Sequence, residues 1–451
     1  LLSTYELGHQ PLGVAGPAAE LKKAGHEVRG RDLSLDGLER EDVEWAERVV
    51  ISVPMHTARR LGGEVAAEVH DFDADLPIAF HGLYGAVSME EAKAQGVQAF
   101  FAGESEDDLV AWIGDPKPTM AVRLDRRTPS VPDRSGLPPL ERYARLLIDD
   151  EERVSGYVEA SRDCRHRCRH CPLPAVYDGR YRIVPTEVVV ADALQQVEAG
   201  ARHLTFGDPD FLNGPAHGFR VLRAVHEASP DTTFDLTIKV EHLLDHRDRL
   251  GELADLGVVF VVSAFEHTAD DVLAILDKGH TALEMSEAVS LVSEAGMELR
   301  PTWLPFTPWT ELSDLADLVR FLGDHGLWGA IEPIQLTIRL LLPDGSLLVD
   351  HPAMTDHLRG YDAASLGHLW VHPNPAVDEL QRELAAIIDR SVAAGEGDRD
   401  ALVALVEAIE AASGTSLPAV PAVLEGTGLS EAWFCCAEPS TSQTITLGLG
   451  R

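Results

Sequence analysis

The sequence predicts an α/β protein in three parts. They are an N-terminal Rossmann-like doubly wound domain, a partial (β/α)6 parallel barrel, and a mostly helical C-terminal region that ends in a cysteine-bearing tail. Three observations predict this. Short apolar strands ending in small-residue turns alternate with helices over residues 1–114, the same alternation resumes over residues 151–345 after a proline-rich segment, and residues 346–451 turn to Ala, Glu and Leu. Length alone is consistent with roughly three domains.

In the first part a turn-like start leads to a helix around Gly16 to Ala24, then to the apolar run Val49-Val50-Ile51-Ser52-Val53. Pro77-Ile78-Ala79-Phe80 runs into His81-Gly82-Leu83-Tyr84-Gly85, and Ala99-Phe100-Phe101 runs into Gly103-Glu104-Ser105-Glu106. Strands of this kind build an open sheet whose ligand crevice lies at their carboxyl ends. Residues 115–150 are read as a linker, because the stretch from Asp115 to Glu141 holds six prolines and several charges without a period.

In the second part the strands are Val154 to Glu159, His203 to Phe206, Thr233 to Ile238, Val258 to Val262, Glu298 to Leu304 and Ile331 to Ile338. Helices follow Thr186 and Pro215, run from Glu241 to Leu256, lie near Ala269 and Glu284, and span Glu311 to His325. Right-handed crossovers close six such strands into a partial barrel, and chemistry belongs at their carboxyl ends. The last part carries a helical stretch from Ala376 to Ala412, broken near Gly395 to Gly397, and then the tail with Cys435-Cys436.

The 38 Lys and Arg against 74 Asp and Glu give a formal net charge of −36, which opposes a nucleic acid or an anionic membrane as partner. No apolar run of about 18 residues is present, and the start Leu1-Leu2-Ser3-Thr4-Tyr5 lacks the basic flank of a signal peptide, so a cytoplasmic protein is expected. Five cysteines are too few for a secreted disulfide framework.

Cys164, Cys168 and Cys171 lie on one short loop after the first barrel strand. Three thiolates at this spacing suit three irons of a 4Fe-4S cluster and leave the fourth iron open. The alternative is a zinc site that recruits His166 or His170. Arg162, Arg165, Arg167 and Arg169 form a basic island beside the cysteines and are expected to offset the charge of a cluster.

The Cys164-x-x-x-Cys168-x-x-Cys171 loop after the first strand of a partial parallel barrel resembles the radical S-adenosylmethionine superfamily. The resemblance implies a 4Fe-4S cluster on these three cysteines. It also implies S-adenosyl-L-methionine bound at the open iron by its amino and carboxylate groups and cleaved by one-electron reduction. An electron donor such as flavodoxin or ferredoxin is then the partner. His170 fills the place before the last cysteine where the family usually carries an aromatic residue, which implies packing against adenine. Gly207 and Asp208 stand where the family's glycine-rich loop receives the methionine amino group, with a plain turn as the alternative. Lys239, Glu241, Ser263 and Glu266 stand at later strand ends, where the family contacts the cofactor's ribose and carboxylate; Glu241 equally suits a helix start.

The first domain is similar to the cobalamin-binding domain that precedes many radical enzymes, on the strength of Phe80-His81-Gly82 and Phe101-Ala102-Gly103-Glu104. The Asp-x-His-x-x-Gly signature of a lower axial histidine is missing from Tyr5-Glu6-Leu7-Gly8-His9-Gln10-Pro11. Either cobalamin binds without a protein ligand or the domain is a retained scaffold. The scaffold is the expectation, cobalamin is not expected, and His9, His56 and His81 are read as loop residues rather than metal ligands.

Adjacent thiols at Cys435 and Cys436 suit a soft metal or metalloid; a vicinal disulfide, a hydrogen-atom donor or inert tail residues are the alternatives. The tail Cys435-Cys436-Ala437-Glu438-Pro439 resembles that of a small group of radical enzymes ending in Cys-Cys-Ala-Glu-Pro. That group is related to one that includes the radical enzyme of arsinothricin biosynthesis, whose tail has a third cysteine absent here. The resemblance implies Cys435 and Cys436 as catalytic residues that present arsenite to a 3-amino-3-carboxypropyl group. Hydrogen abstraction or methyl transfer on an organic or peptide substrate, and a non-catalytic metal-binding scaffold, are the other readings.

Overall fold

The computed structural model describes residues 1–149 and 151–430. Strands β1 (Leu2–Ser3), β2 (Arg31–Asp32), β3 (Val49–Ser52), β4 (Ile78–His81), β5 (Val97–Gly103) and β6 (Thr119–Arg123) form one parallel sheet in the order β2-β1-β3-β4-β5-β6. Alternate residues of each strand enter opposite cores: Val49, Ile51, Ile78 and Phe80 pack on one face, and Val50, Ala79, Ala99 and Phe101 on the other. A sheet covered on both faces needs such continuous apolar runs, which is why they stand out in the sequence. The strand order reverses direction between β1 and β3, the place where open α/β sheets bind ligands.

The segment read as a linker contributes structure to both domains. Thr119–Arg123 completes the first sheet as its edge strand. Further on, Arg134 donates to Asp192 at 2.8 and 2.9 Å, to the Tyr157 carbonyl at 2.8 Å and to Gln10 Oε1 at 3.1 Å, clasping the two domains together.

The second sheet adds β7 (Arg145–Ile148), β8 (Glu151–Val158), then, after the short pair β9 (Ser161–Arg162) and β10 (Arg182–Ile183), β11 (His203–Phe206), β12 (Thr233–Thr237), β13 (Val258–Glu266) and β14 (Glu298–Trp303). β8, β11, β12, β13 and β14 are parallel neighbours and form a nearly closed barrel wall; β7 lies antiparallel on β8. The sixth barrel position differs from the expected strand. Pro333–Thr337 winds into a 3-10 helix, and only the parallel bridge between Phe306 and Arg339 continues the wall. Pro333 cannot donate to a ladder, and Gln335 turns inward to accept from the Trp303 N–H at 3.2 Å.

Helices Thr186–Glu198, Pro215–Ala228, Ala282–Glu294 and Leu312–Asp324 cover the barrel. The expected helix from Glu241 to Leu256 is broken into Val240–Asp245, a 3-10 turn Arg247–Arg249 and Leu250–Asp255. The C-terminal helices Pro375–Ala394 and Asp398–Ser413 break where expected, at Gly395, whose φ of 68° favours glycine. A hairpin of β15 (Leu358–Asp362) and β16 (Gly367–Trp370), and β17 (Gly428–Leu429) against β7, complete the described chain. Among the described residues no helix is long and apolar enough to cross a membrane.

Candidate active site

The cysteine loop leaves the carboxyl end of β8 and is tied down on two sides. The Arg169 N–H donates to the Leu276 carbonyl at 2.9 Å, and its guanidinium donates to the carbonyls of Ala274 and Ile275, capping the helix Asp270–Leu276. On the other side Asn213 Oδ1 accepts from the Arg165 N–H at 3.2 Å and from the Cys164 thiol at 3.7 Å. Cys164 and Cys168 are buried, Cys171 is half-buried, and none of the three is in a disulfide. Burial, with Asp210 nearby, pushes the Cys164 thiol up to about 11, so the thiolate forms readily only when a metal takes the proton's place. Three sulfurs outside any disulfide on one pinned loop fit a 4Fe-4S cluster.

The donors around the loop are shared out differently from the sequence expectation. Asp208 accepts from the Ala160 N–H at 2.9 Å and from the Ser161 hydroxyl, and burial raises it to about 7. Its carboxylate therefore holds the strand that leads into the cysteine loop. Gly207 fits close under Tyr157, since a Cβ there would lie 1.8 Å from the tyrosine oxygen. Asp210, two residues on, faces the cysteines instead. Its Oδ2 lies 2.6 Å from His242 Nδ1 and 3.8 Å from His166 Nε2, and Cys164, His166 and Asp210 offer ligand atoms within 4.8 Å of one another.

His170 Nε2 lies 3.0 Å from Glu266 Oε1, and the same oxygen accepts from Lys278 Nζ at 3.1 Å. Lys239 is buried, its Nζ 3.4 Å from Glu241 Oε2 and its N–H 3.3 Å from Asp210 Oδ1. Ser263 is buried at the end of β13 with its hydroxyl unpartnered; so are His170 Nδ1 and Asn213 Nδ2. Unpartnered buried polar atoms beside the cysteines fit a polar ligand such as S-adenosylmethionine.

The basic island is engaged elsewhere. Arg162 pairs with Glu104 at 3.1 Å, Glu106 at 2.8 Å and Glu159 at 3.6 Å, Arg165 lies over the Tyr181 ring, and Arg167 pairs with Asp178 at the surface. Arg162 thus joins the two domains, Arg169 caps a helix, Arg167 pairs at the surface and Arg165 stacks on a ring. A second buried cation beside Lys239 is Lys278, 3.1 Å from Glu266 Oε1. Sequence reading missed Lys278, Asp210 and His242. The only signal for Lys278 was an isolated Asp277-Lys278-Gly279-His280 turn at a barrel crossover.

A cavity of about 270 Å³ lies in the seam between the carboxyl ends of the first sheet and the mouth of the barrel. Glu6, Pro54, His81 and Gly103 line it from one side, and Tyr157 and Glu159 from the other. Glu6 accepts from the Ser52 hydroxyl at 2.9 Å and the Gly13 N–H at 3.2 Å, and burial raises it to about 7. Gly13 is required there, because a Cβ would lie 2.1 Å from Ser52 Oγ. His81 is buried with both ring nitrogens unpartnered. Carboxylate acceptors and a free imidazole fit a cofactor rimmed with amide groups, such as cobalamin. His9 packs its ring 4.8 Å from that of Tyr157, and His56 sets its ring against Tyr84. Cys435 and Cys436 lie outside the described residues.

Comparison with known proteins agrees with this geometry. Residues 158–319 match the radical SAM superfamily profile. The chain is 24% identical over 280 residues to the hopanoid C-2 methylase of Rhodopseudomonas palustris (strain TIE-1), covering 60% of this chain and 52% of that protein, so it spans about half the length of that relative. The radical SAM methyltransferase TsrM of Kitasatospora setae, solved with tryptophan and a SAM analogue, superposes with a TM-score of 0.63 at 16% identity over 100% of this chain and 95% of that one. The cobalamin-dependent radical enzyme OxsB, solved with aqua-cobalamin and S-adenosylmethionine, superposes with a TM-score of 0.63 at 13% identity over 84% of this chain and 64% of that one.

These likenesses correct one expectation. Cobalamin was not expected because the axial-histidine signature is missing, yet TsrM with cobalamin and a 4Fe-4S cluster bound shares this fold, with a TM-score of 0.59 at 17% identity over 72% of both chains, as does OxsB with aqua-cobalamin. The expectation of a bare scaffold without cobalamin is thus overturned by proteins of this fold that carry it. Residues 158–319 of this chain thus carry a domain that matches the radical SAM superfamily.

Proposed function

We propose that this chain is a radical SAM transferase that holds a 4Fe-4S cluster on Cys164, Cys168 and Cys171 and cobalamin in the seam between its domains, and that it transfers the methyl group of S-adenosylmethionine to a small acceptor. The observation that carries this reading is the seam cavity, lined by carboxylates and the unpartnered His81 and opening between the first sheet and the barrel mouth. When bound, the cluster supplies single electrons to the sulfonium and the corrin supplies a carrier for a methyl group. The protein's part is placement. Glu6 and Glu159 would accept hydrogen bonds from the amide groups of a bound corrin, and Cys164, Cys168 and Cys171 would hold the cluster on their pinned loop.

A second reading is favoured by Cys435-Cys436 in the sequence: a soft acceptor such as arsenite, held by this pair, takes the 3-amino-3-carboxypropyl group. The products separate the readings. Anaerobic turnover with S-adenosylmethionine, cobalamin, a reductant and candidate acceptors, with and without arsenite, is followed by mass spectrometry. S-Adenosylhomocysteine dependent on cobalamin supports methyl transfer. 5'-Methylthioadenosine dependent on arsenite supports the second reading. 5'-Deoxyadenosine alone contradicts both in favour of hydrogen abstraction.

A further inference from the structure

The cysteine loop is docked on the end of the helix Asp270–Leu276 through Arg169, and the turn that follows that helix carries Lys278 beneath it. Lys278 is only 3% exposed. Its ammonium lies 3.1 Å from Glu266 Oε1, which also meets His170, the residue that lies between Cys168 and Cys171 in the chain. The Glu266 backbone has a φ of 67°, a strained conformation held in place by the Leu304 N–H donating to its carbonyl at 2.7 Å. Glu266 Oε1, 3.1 Å from Lys278 Nζ, supplies the counter-charge that a buried ammonium needs.

We infer that Lys278 is a positioning residue that sets the reduction potential of the cluster, with Glu266 as its counterweight and as the anchor of the His170 ring. This rests on the cluster of the proposed function. A buried positive charge stabilises the more negative, reduced cluster and raises its potential; a buried negative charge does the opposite. Of the four surrounding arginines, Arg162 is paired with Glu104, Glu106 and Glu159, Arg167 with Asp178 and Arg169 with Asp277, while Arg165 lies over the Tyr181 ring.

The test uses the full chain, reconstituted anaerobically as wild type, Lys278→Met, Lys278→Arg, Glu266→Gln and the Lys278→Met, Glu266→Gln double variant. Iron and sulfide content and the spin-resonance signal of the reduced cluster are recorded first, then the midpoint potential by redox titration. The expected result is a shift to more negative potential in Lys278→Met, to more positive potential in Glu266→Gln, and a near-wild-type value in Lys278→Arg and the double variant. Unchanged potentials in Lys278→Met and Glu266→Gln overturn the inference while leaving the cluster assignment intact. Should Lys278→Met fail to hold its cluster, Glu266→Gln decides alone by the sign of its shift. Absence of a four-iron cluster from the wild type overturns the proposed function and this inference together.

Discussion

Arg162 Nη1 stands 2.8 Å from Glu106 Oε1, so the strand that delivers the cysteine loop is ion-paired to a helix of the first sheet. Burial pushes Glu106 up, but Arg162, His81 and Arg127 outweigh it and hold the carboxyl at about 2. Arg162→Met leaves Glu104, Glu106 and Glu159 without their shared partner. The expected loss is about 3–5 kcal/mol, the range for breaking a buried pair from one side. Denaturant midpoints of wild type and variant measure it, and Arg162→Lys should recover only part because it cannot reach three carboxylates with a planar fork.

Asp208 is expected to act through the fold rather than through contact with a ligand. Asp208→Ala leaves the Ala160 N–H and the Ser161 hydroxyl without their acceptor, costing about 1–3 kcal/mol. Iron retention after gel filtration should fall with stability. Asp210→Ala gives up one longer backbone tie, from the Lys239 N–H at 3.3 Å, and the His242 contact at 2.6 Å, so its main effect is expected on binding of S-adenosylmethionine, read as a raised Kd with a smaller change in midpoint.

Stability should fall with rising pH through the seam. The Glu6 carboxyl is raised from an ordinary 4.5 to about 7, first of all by burial. A group whose folded value is raised stabilises the fold fully below its unfolded value, and that contribution is lost as pH climbs from about 4.5 through about 7. Comparing denaturation midpoints at about pH 5 and about pH 8 in wild type and Glu6→Gln checks this: the variant should show the smaller difference between the two.

Much of the architecture was legible because covered parallel strands are apolar on both faces: His203–Phe206 and Val49–Ser52 lie where their Val, Ile, Leu and Phe content puts them. Thr119–Arg123 was hidden because an edge strand needs few apolar residues, and prolines surround it. Ile331 to Ile338 alternates like a strand, but Pro333 and the inward Gln335 wind it into a 3-10 helix. At the site, the cysteine spacing was decisive in sequence. The division of labour between Asp208 and Asp210 was not, since it depends on which carboxylate meets the Ala160 N–H. A buried Lys278 was equally invisible, because lysine in sequence reads as surface until its partner is known.

Cys164, Cys168 and Cys171 carry the central claim. Substituting any one by Ala should lower bound iron from about four per chain to a small fraction of that and abolish the brown colour. The most direct measurement is the spin-resonance spectrum of the reduced wild-type protein before and after S-adenosylmethionine is added, beside metal analysis. The expected result is a 4Fe-4S signal that changes on addition, as an open iron gains the cofactor's amino and carboxylate ligands. About one zinc per chain with no cluster signal would contradict the account and assign the loop to a structural metal site with His166 and Asp210.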